Sequence, residues 1–154
     1  MRDIGGRTGG HTRRMDRPAD VPTVVAVYGT LRASCRNHGL LDRAEPLGPG
    51  RIDGSLWWVE TGEHRAYPYP ALLLQPGGPV AIECYRVTSL EQLAALDRLE
   101  AYVPEDEPAS EYVRRTVPVS GGPVPWAQVY VYRGPHEVLR GQIPNGDWVA
   151  AGGG

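Results

Sequence analysis

The stretch Val24-Val25-Ala26-Val27-Tyr28-Gly29-Thr30-Leu31-Arg32 is an apolar run that ends abruptly at a glycine. A run rich in β-branched residues and broken by Gly and Thr predicts a buried strand that ends in a turn. The backbone N–H groups at the end of such a strand are exposed and can bind an anion. The stretch therefore predicts a buried strand and a candidate anion-binding turn.

A second segment, Leu96-Asp97-Arg98-Leu99-Glu100-Ala101-Tyr102, places acids where a helix should be apolar. At about 100° per residue, the leucines of the predicted helix 90–100 form one apolar arc. These leucines are Leu90, Leu93, Leu96 and Leu99. Asp97 and Glu100 fall inside the arc, and a carboxylate that faces a core is costly unless it is paired or functional. Either the acids pair with an arginine or cap a loop amide, or burial raises a pKa to suit acid–base catalysis.

Together these segments resemble the γ-glutamylcyclotransferase superfamily, particularly its AIG2-like and γ-glutamylamine cyclotransferase branch. The motifs that carry the resemblance are Tyr28-Gly29-Thr30-Leu31, Tyr69-Pro70-Ala71-Leu72, Leu96 to Tyr102, Tyr112 to Val119, Ala127 to Tyr132, and Ile143 to Trp148. Each motif is short, but their order is the family's order over residues 24–148. One position departs from the pattern: Ala101 stands where the family usually has Gly, and Ala is strained there if the backbone needs a positive φ.

The resemblance implies a reaction in which the α-amine of a γ-glutamyl group attacks its own γ-carbonyl. The products are 5-oxoproline and a free amine or amino acid. The attacking amine, with a reference pKa of about 8, needs a base, and the same group can then protonate the leaving nitrogen. The resemblance implies that Glu100 is this catalytic residue, while we interpret Asp97 as a structural hydrogen-bonding residue.

The sequence contains further candidate site residues. The turn at Gly29, Thr30 and Leu31 can bind either the α-carboxylate or the developing oxyanion, with Tyr28 as a wall or hydroxyl donor. Tyr112 is a further candidate for substrate binding. Two weaker candidates are Glu83, placed inward by strand alternation, and Arg114, for which an ion pair with Glu83 or Glu111 is an alternative.

Strand signals outnumber helix signals along the chain. The predicted strands are 24–28, 51–59, 70–75, 80–87, 112–119 and 126–133, separated by Pro-Gly and Gly-Gly turns. Ser89 and Gln92 predict a capping box at the start of the main helix, and a short helical turn is expected near 38–41. We therefore predict an α+β fold: a small, mixed, twisted β-barrel of about six strands with one main helix packed on it.

Composition excludes several classes of function. The 154 residues carry a net charge of −2, which gives no general attraction to nucleic acid or membranes. No apolar stretch is long enough to span a membrane, and no phosphate-binding or dinucleotide glycine motif occurs. The histidines are isolated, so we expect no metal and no cofactor. The two cysteines, Cys35 and Cys84, show no metal or redox spacing, and a reduced thiol is expected at Cys84.

These observations predict a single domain over residues 23–149, a disordered tail at 1–22 and a flexible end at 150–154. We expect a cytoplasmic monomer or weak homodimer that acts on a small γ-glutamyl molecule. The alternative is a non-enzymatic binding module that uses the same cleft for an acidic metabolite or partner. A different hydrolase or transferase on the same fold is a third possibility, because fold alone does not determine function.

Overall fold

The computed structural model describes residues 21–60 and 65–154, which form an α+β fold of eight strands and one main helix. The strands are β1 Thr23–Val27, β2 Glu45–Asp53, β3 Ser55–Val59, β4 Tyr69–Leu73, β5 Pro79–Val87, β6 Tyr112–Pro118, β7 Trp126–Tyr132 and β8 Leu139–Gln142. Helix α1 spans Leu90–Leu99. Short 3₁₀ turns lie at His38–Leu41, Glu107–Ala109, His136–Val138 and Pro144–Gly146. Most of the predicted tail at 1–22 lies outside the described residues.

The strands form two sheets. The larger sheet has the order β2-β5-β1-β7-β6 and the smaller has the order β4-β3-β8. Strand β1 pairs in parallel with β7 and antiparallel with β5, so the larger sheet is mixed. The α+β class, the mixed sheet and the single main helix are as predicted, but the sheets do not close into a barrel.

The additional strands arise where the sequence signal is weak. The predicted strand 51–59 is divided at Gly54 into the end of β2 and the whole of β3, which belong to different sheets. A Cβ at Gly54 would lie 3.0 Å from the Leu73 carbonyl oxygen, so glycine permits the close approach of β4 at this bend. Strand β8 was not predicted, because Leu139–Gln142 is short and contains a glycine.

Alternation along β1 distributes its side chains between two apolar clusters. Val25 and Val27 pack in the cluster that contains Leu93 and Leu96 of α1. Ala26 and Tyr28 point to the opposite face, into a second cluster that contains the fully buried Trp148. Since successive strand residues face opposite sides of a sheet, β1 joins both halves of the core.

Helix α1 begins as predicted but buries a narrower face. The Ser89 side chain accepts a hydrogen bond from the Gln92 backbone N–H. The Gln92 side chain does not complete the capping box; its amide donates instead to the Leu40 carbonyl, which ties α1 to the 3₁₀ turn at His38–Leu41. Leu90, predicted to lie in the apolar arc, is 54 % exposed because it lies at the outer end of the first turn. The prediction that Asp97 and Glu100 face inward is confirmed, since both are buried.

The C-terminal end of α1 fixes the position of Glu100. The Tyr102 N–H donates to the Asp97 carbonyl at 2.9 Å and the Ala101 N–H donates to the Arg98 carbonyl at 3.1 Å. These two bonds form a Schellman motif, in which the residue after the cap adopts a left-handed conformation. That residue is Ala101, with φ +52°. The expected positive φ is therefore present, and Ala is strained at a position that favours glycine.

The chain end is hydrogen-bonded to the domain. The Gly153 N–H donates to the Trp148 carbonyl at 2.8 Å, and the Arg36 N–H donates to the Gly154 carbonyl at 3.3 Å. These hydrogen bonds connect the segment 150–154, which was expected to be flexible from its composition, to the rest of the domain. None of the helices in the described part of the chain is long and apolar enough to cross a membrane.

We expect Ala101→Gly to stabilise the protein by about 1 kcal/mol, because glycine adopts the left-handed conformation without a Cβ penalty. Chemical denaturation of wild type and variant measures this difference. Ala94→Gly is the matched control: Ala94 is exposed in the middle of α1, so the same substitution there should destabilise by about 1 kcal/mol. Two changes of the same sign would contradict the assignment of strain to Ala101.

Candidate active site

A cleft at the end of β1 brings the anion-binding turn and the buried glutamate together. The space within it is about 290 Å³, open solvent included. The cleft is lined by Val27, Tyr28, Gly29, Thr30, Leu31, Arg65, Pro70, Glu100 and Tyr130. Four predicted substrate-binding residues and the predicted catalytic residue therefore share one cleft.

The turn after β1 directs its carbonyl groups into the protein. The Gly29 carbonyl accepts from the Arg32 N–H at 3.0 Å, and the Thr30 carbonyl accepts from the Asn37 N–H at 2.8 Å. Asn37 also donates its side-chain amide to the Thr30 hydroxyl at 2.9 Å. Among the residues that the structure describes, no acceptor lies within hydrogen-bond distance of the Thr30 or Leu31 N–H groups. These two donors are available to an anion in the cleft.

Gly29 and Tyr28 also make contacts that hold the elements around the cleft together. A Cβ at Gly29 would lie 2.5 Å from Cγ of Pro70, so only glycine lets the turn approach β4 this closely. The Tyr28 hydroxyl donates to the Tyr130 carbonyl at 2.6 Å. Tyr28 therefore contributes a wall of the cleft, and its hydroxyl proton is already used to hold β1 against β7.

Glu100 is 7 % exposed and forms an ion pair with Arg65, whose Nη2 donates to Oε1 at 3.0 Å. Burial is the main cause that raises the pKa of the Glu100 carboxyl above its ordinary value. Arg65 acts in the opposite direction through its charge and hydrogen bond, while Glu111 and Asp97 raise the pKa further. The pKa of the Glu100 carboxyl therefore reflects a balance between burial and the opposing charge of Arg65.

Asp97 has a different environment, although it lies only one turn before Glu100. Arg114 donates to both of its oxygens, at 3.1 and 3.3 Å, and the Tyr130 hydroxyl donates at 2.6 Å. Asp97 is therefore a structural hydrogen-bonding residue, as predicted. It connects α1 to β6 and β7 and does not hold the glycine turn.

The remaining candidates lie outside the cleft lining. The Tyr112 hydroxyl donates to the Pro70 carbonyl at 2.7 Å, behind the cleft. Arg114 pairs with Asp97, which is neither of the partners suggested by the sequence. Glu83 accepts from the Arg32 side chain at 2.9 Å and from the Ala33 N–H at 2.8 Å. Glu83 is thus committed to holding the chain that follows the turn.

Four lining residues were missed by the sequence analysis: Val27, Arg65, Pro70 and Tyr130. Arg65 comes from a segment without periodicity, and nothing in its neighbours distinguishes it from a solvated surface arginine. Tyr130 stands within the quoted motif Ala127 to Tyr132, and its alternation with Tyr132 in β7 was the available signal. Among residues 21–60 and 65–154, no group of three or more His, Cys, Asp or Glu side chains could hold a metal ion.

Comparison with known proteins identifies the family of this chain. The family model for gamma-glutamyl cyclotransferase, AIG2-like, matches residues 25–150. The chain therefore belongs to this family. Membership of the family supports a cyclotransferase-type function in general. A search of curated protein sequences gave no match.

Solved structures share the fold. An AIG2-like protein from Mus musculus is 29 % identical over 75 % of this chain and 81 % of its own, with a TM-score of 0.55. An uncharacterized protein from Pyrococcus horikoshii is 24 % identical over 81 % of this chain and 88 % of its own, with a TM-score of 0.58. YkqA from Bacillus subtilis is 24 % identical over 82 % of this chain but only 39 % of its own, with a TM-score of 0.58.

We expect Asp97→Asn to destabilise the protein by about 3 kcal/mol, because it leaves the buried Arg114 guanidinium without its opposite charge. Urea unfolding at neutral pH measures the change. The control is Asp106→Asn, an exposed position, where the same substitution should change stability by less than about 0.5 kcal/mol. Equal effects at the two positions would show that the Asp97–Arg114 pair is not a structural requirement.

Proposed function

We propose that this protein cyclises the γ-glutamyl group of a small molecule and releases 5-oxoproline together with an amine or amino acid. The observation that carries the proposal is the presence, in one cleft, of a buried carboxyl and two free backbone donors. Cyclisation of a γ-glutamyl group needs a proton acceptor beside the α-amine and positive dipoles beside the carboxylate or oxyanion. The cleft supplies both.

Glu100 is the proposed general base and acid. It takes a proton from the α-ammonium, so that the neutral amine can attack the γ-carbonyl carbon and form the C–N bond of the ring. As the tetrahedral intermediate collapses, Glu100 returns the proton to the leaving nitrogen and the γ-amide C–N bond breaks. The ring nitrogen, which carries two protons after the attack, gives one of them to the released amine, so that the products are the neutral lactam and an ammonium. No covalent intermediate on the protein is needed, because nucleophile and electrophile belong to one molecule.

The N–H groups of Thr30 and Leu31 are the proposed anion donors. They hold either the α-carboxylate, which orients the amine, or the oxyanion that develops at the γ-carbonyl. Gly29 and Tyr28 shape this part of the cleft through their contacts with Pro70 and Tyr130. Tyr112 supports the same wall through its hydrogen bond to Pro70.

Within this reaction class we place γ-glutamylamines ahead of glutathione. The chain's membership of the AIG2-like family supports this order. The alternative remains a non-enzymatic binding module. In that alternative the Arg65–Glu100 ion pair would be a structural feature of the cleft wall.

The first test is release of 5-oxoproline, detected by mass spectrometry, from γ-glutamylamines, γ-glutamyl dipeptides and glutathione. We expect release by wild type and a reduction of about 100- to 10,000-fold in kcat/KM for Glu100→Gln, because the general base is lost. Glu91→Gln, at an exposed position of α1, controls for the loss of an acid from the same helix. Folded wild type that is inactive on the whole panel would favour the binding module, and free glutamate as product would indicate a hydrolase.

The pH dependence of kcat/KM gives a second test. Glu100 must be ionised to act as a base, so activity falls as the pH drops through its pKa in the free enzyme. Because burial raises that pKa above its ordinary value of 4.5, the acid limb should have its midpoint above pH 4.5. Circular dichroism over the same pH range separates this titration from acid unfolding. A midpoint below 4.5 in folded protein would contradict the assignment of Glu100.

A further inference from the structure

The Arg65 guanidinium is an unusual element of the cleft, since it is buried and makes few hydrogen bonds to the part of the chain that the structure describes. Its side chain is 4 % exposed. Nη2 donates to Glu100, while Nε is buried without a hydrogen-bond partner among the described residues. A buried arginine normally uses several of its five donors. Arg65 is therefore held by charge and ring contacts more than by hydrogen bonds.

Two tyrosine rings provide those contacts. The guanidinium carbon lies 4.3 Å from the centre of the Tyr69 ring and 5.3 Å from the centre of the Tyr112 ring. Both distances are within the range of cation–π attraction, which strengthens when the cation is desolvated. The rings restrict the guanidinium to a position from which it reaches Oε1 of Glu100.

A second carboxylate, Glu111, is coupled to the same group. Its Oε2 accepts from the Tyr69 hydroxyl at 2.5 Å, and its Oε1 is buried without a partner among the described residues. Burial alone lowers the pKa of Arg65, but the negative charge of Glu100, with smaller contributions from Tyr112 and Glu111, raises it overall. Arg65 is therefore a permanent cation coupled to two carboxylates.

We propose that Arg65 is a positioning residue for Glu100, whose buried guanidinium holds this carboxyl in an ion pair that favours its ionised form, and that the charge of Glu111 opposes this effect. The proposal rests on the proposed function in assigning Glu100 as the base. Without Arg65, burial and the negative charge of Glu111 would both favour protonated Glu100, which cannot accept a proton. Without Glu111, the carboxyl would stay ionised to a lower pH and would be a weaker base.

The charged and titratable groups around Glu100 come from every element that packs against it. They are Arg65, Glu111, Asp97 with its partner Arg114, and the hydroxyl groups of Tyr28, Tyr112 and Tyr130. Burial raises the pKa of all three tyrosines well above the physiological range. Among the described residues, Arg65 lowers the pKa of Glu100, while Glu111 and then Asp97 raise it.

The direct test is the titration of the Glu100 carboxyl by NMR in protein labelled with ¹³C at glutamate carboxyl carbons. The Glu100→Gln spectrum identifies the resonance. We expect Arg65→Met to raise the pKa of Glu100 by about 1 to 3 units, Arg65→Lys to raise it less, and Glu111→Gln to lower it. Arg98→Met removes the same charge from an exposed position two residues before Glu100 and should leave the titration unchanged. An unchanged titration in Arg65→Met would overturn the proposal.

Kinetics provide a readout that a purely structural role would not move. In Arg65→Met the acid limb of kcat/KM should shift to higher pH by the same amount as the NMR titration. The deficit should shrink at alkaline pH, where Glu100 is ionised in both proteins. A deficit that is equal at every pH would indicate general damage to the site and would overturn the positioning role.

The two proposals can fail separately. The NMR titration needs no substrate, so a normal Arg65-dependent shift in a protein that releases no 5-oxoproline would overturn the proposed function alone. If Arg65→Met does not fold, two variants that keep a cation at position 65 retain the test. Arg65→Lys changes the geometry of the ion pair, and Glu111→Gln removes the opposing negative charge. A Glu100 pKa that is unchanged in Glu111→Gln would then overturn the proposal.

Discussion

The structure depends on neutralising two carboxylates that are buried at the C-terminal end of one helix. Unpaired carbonyl groups give a helix C-terminus a partial negative charge, so Asp97 and Glu100 are disfavoured there both by burial and by the helix itself. Two arginines provide the opposite charges: Arg65 just before β4 and Arg114 on β6. Correct placement of these strands is therefore coupled to the formation of the helix end.

The two ion pairs differ in how many of the carboxylate's hydrogen-bonding positions they occupy. Asp97 accepts three hydrogen bonds, so both of its oxygens are engaged in holding α1 against β6 and β7. Glu100 accepts one from Arg65 and lies on the wall of the cleft. The same helix turn thus contains one acid committed to structure and one acid whose proton affinity is set by its neighbours. This contrast supports an acid–base role for Glu100 and a structural role for Asp97.

Much of this arrangement could be predicted because its signals are local. The strand before Gly29, the cap at Ser89 and the inward direction of Glu100 follow from residue order and the periods of strand and helix. The positive φ of Ala101 also follows from its place directly after a helix end. The α+β fold class is confirmed, but its sheets do not form the expected barrel and Leu90 does not face inward. Both differences concern how elements pack and where the outer end of a helix lies.

The sequence by itself determined the elements, the anion-binding turn and the acid at the helix end, because each depends on residues within a few positions of one another. Only the tertiary structure decided which charged groups pair. Arg65 pairs with Glu100, and Asp97 pairs with Arg114. Glu83 binds the loop that follows the turn. These partners are distant in the chain, and an arginine gives no local sign of which carboxylate it will neutralise. The charge balance around Glu100 is consequently a property of the assembled fold.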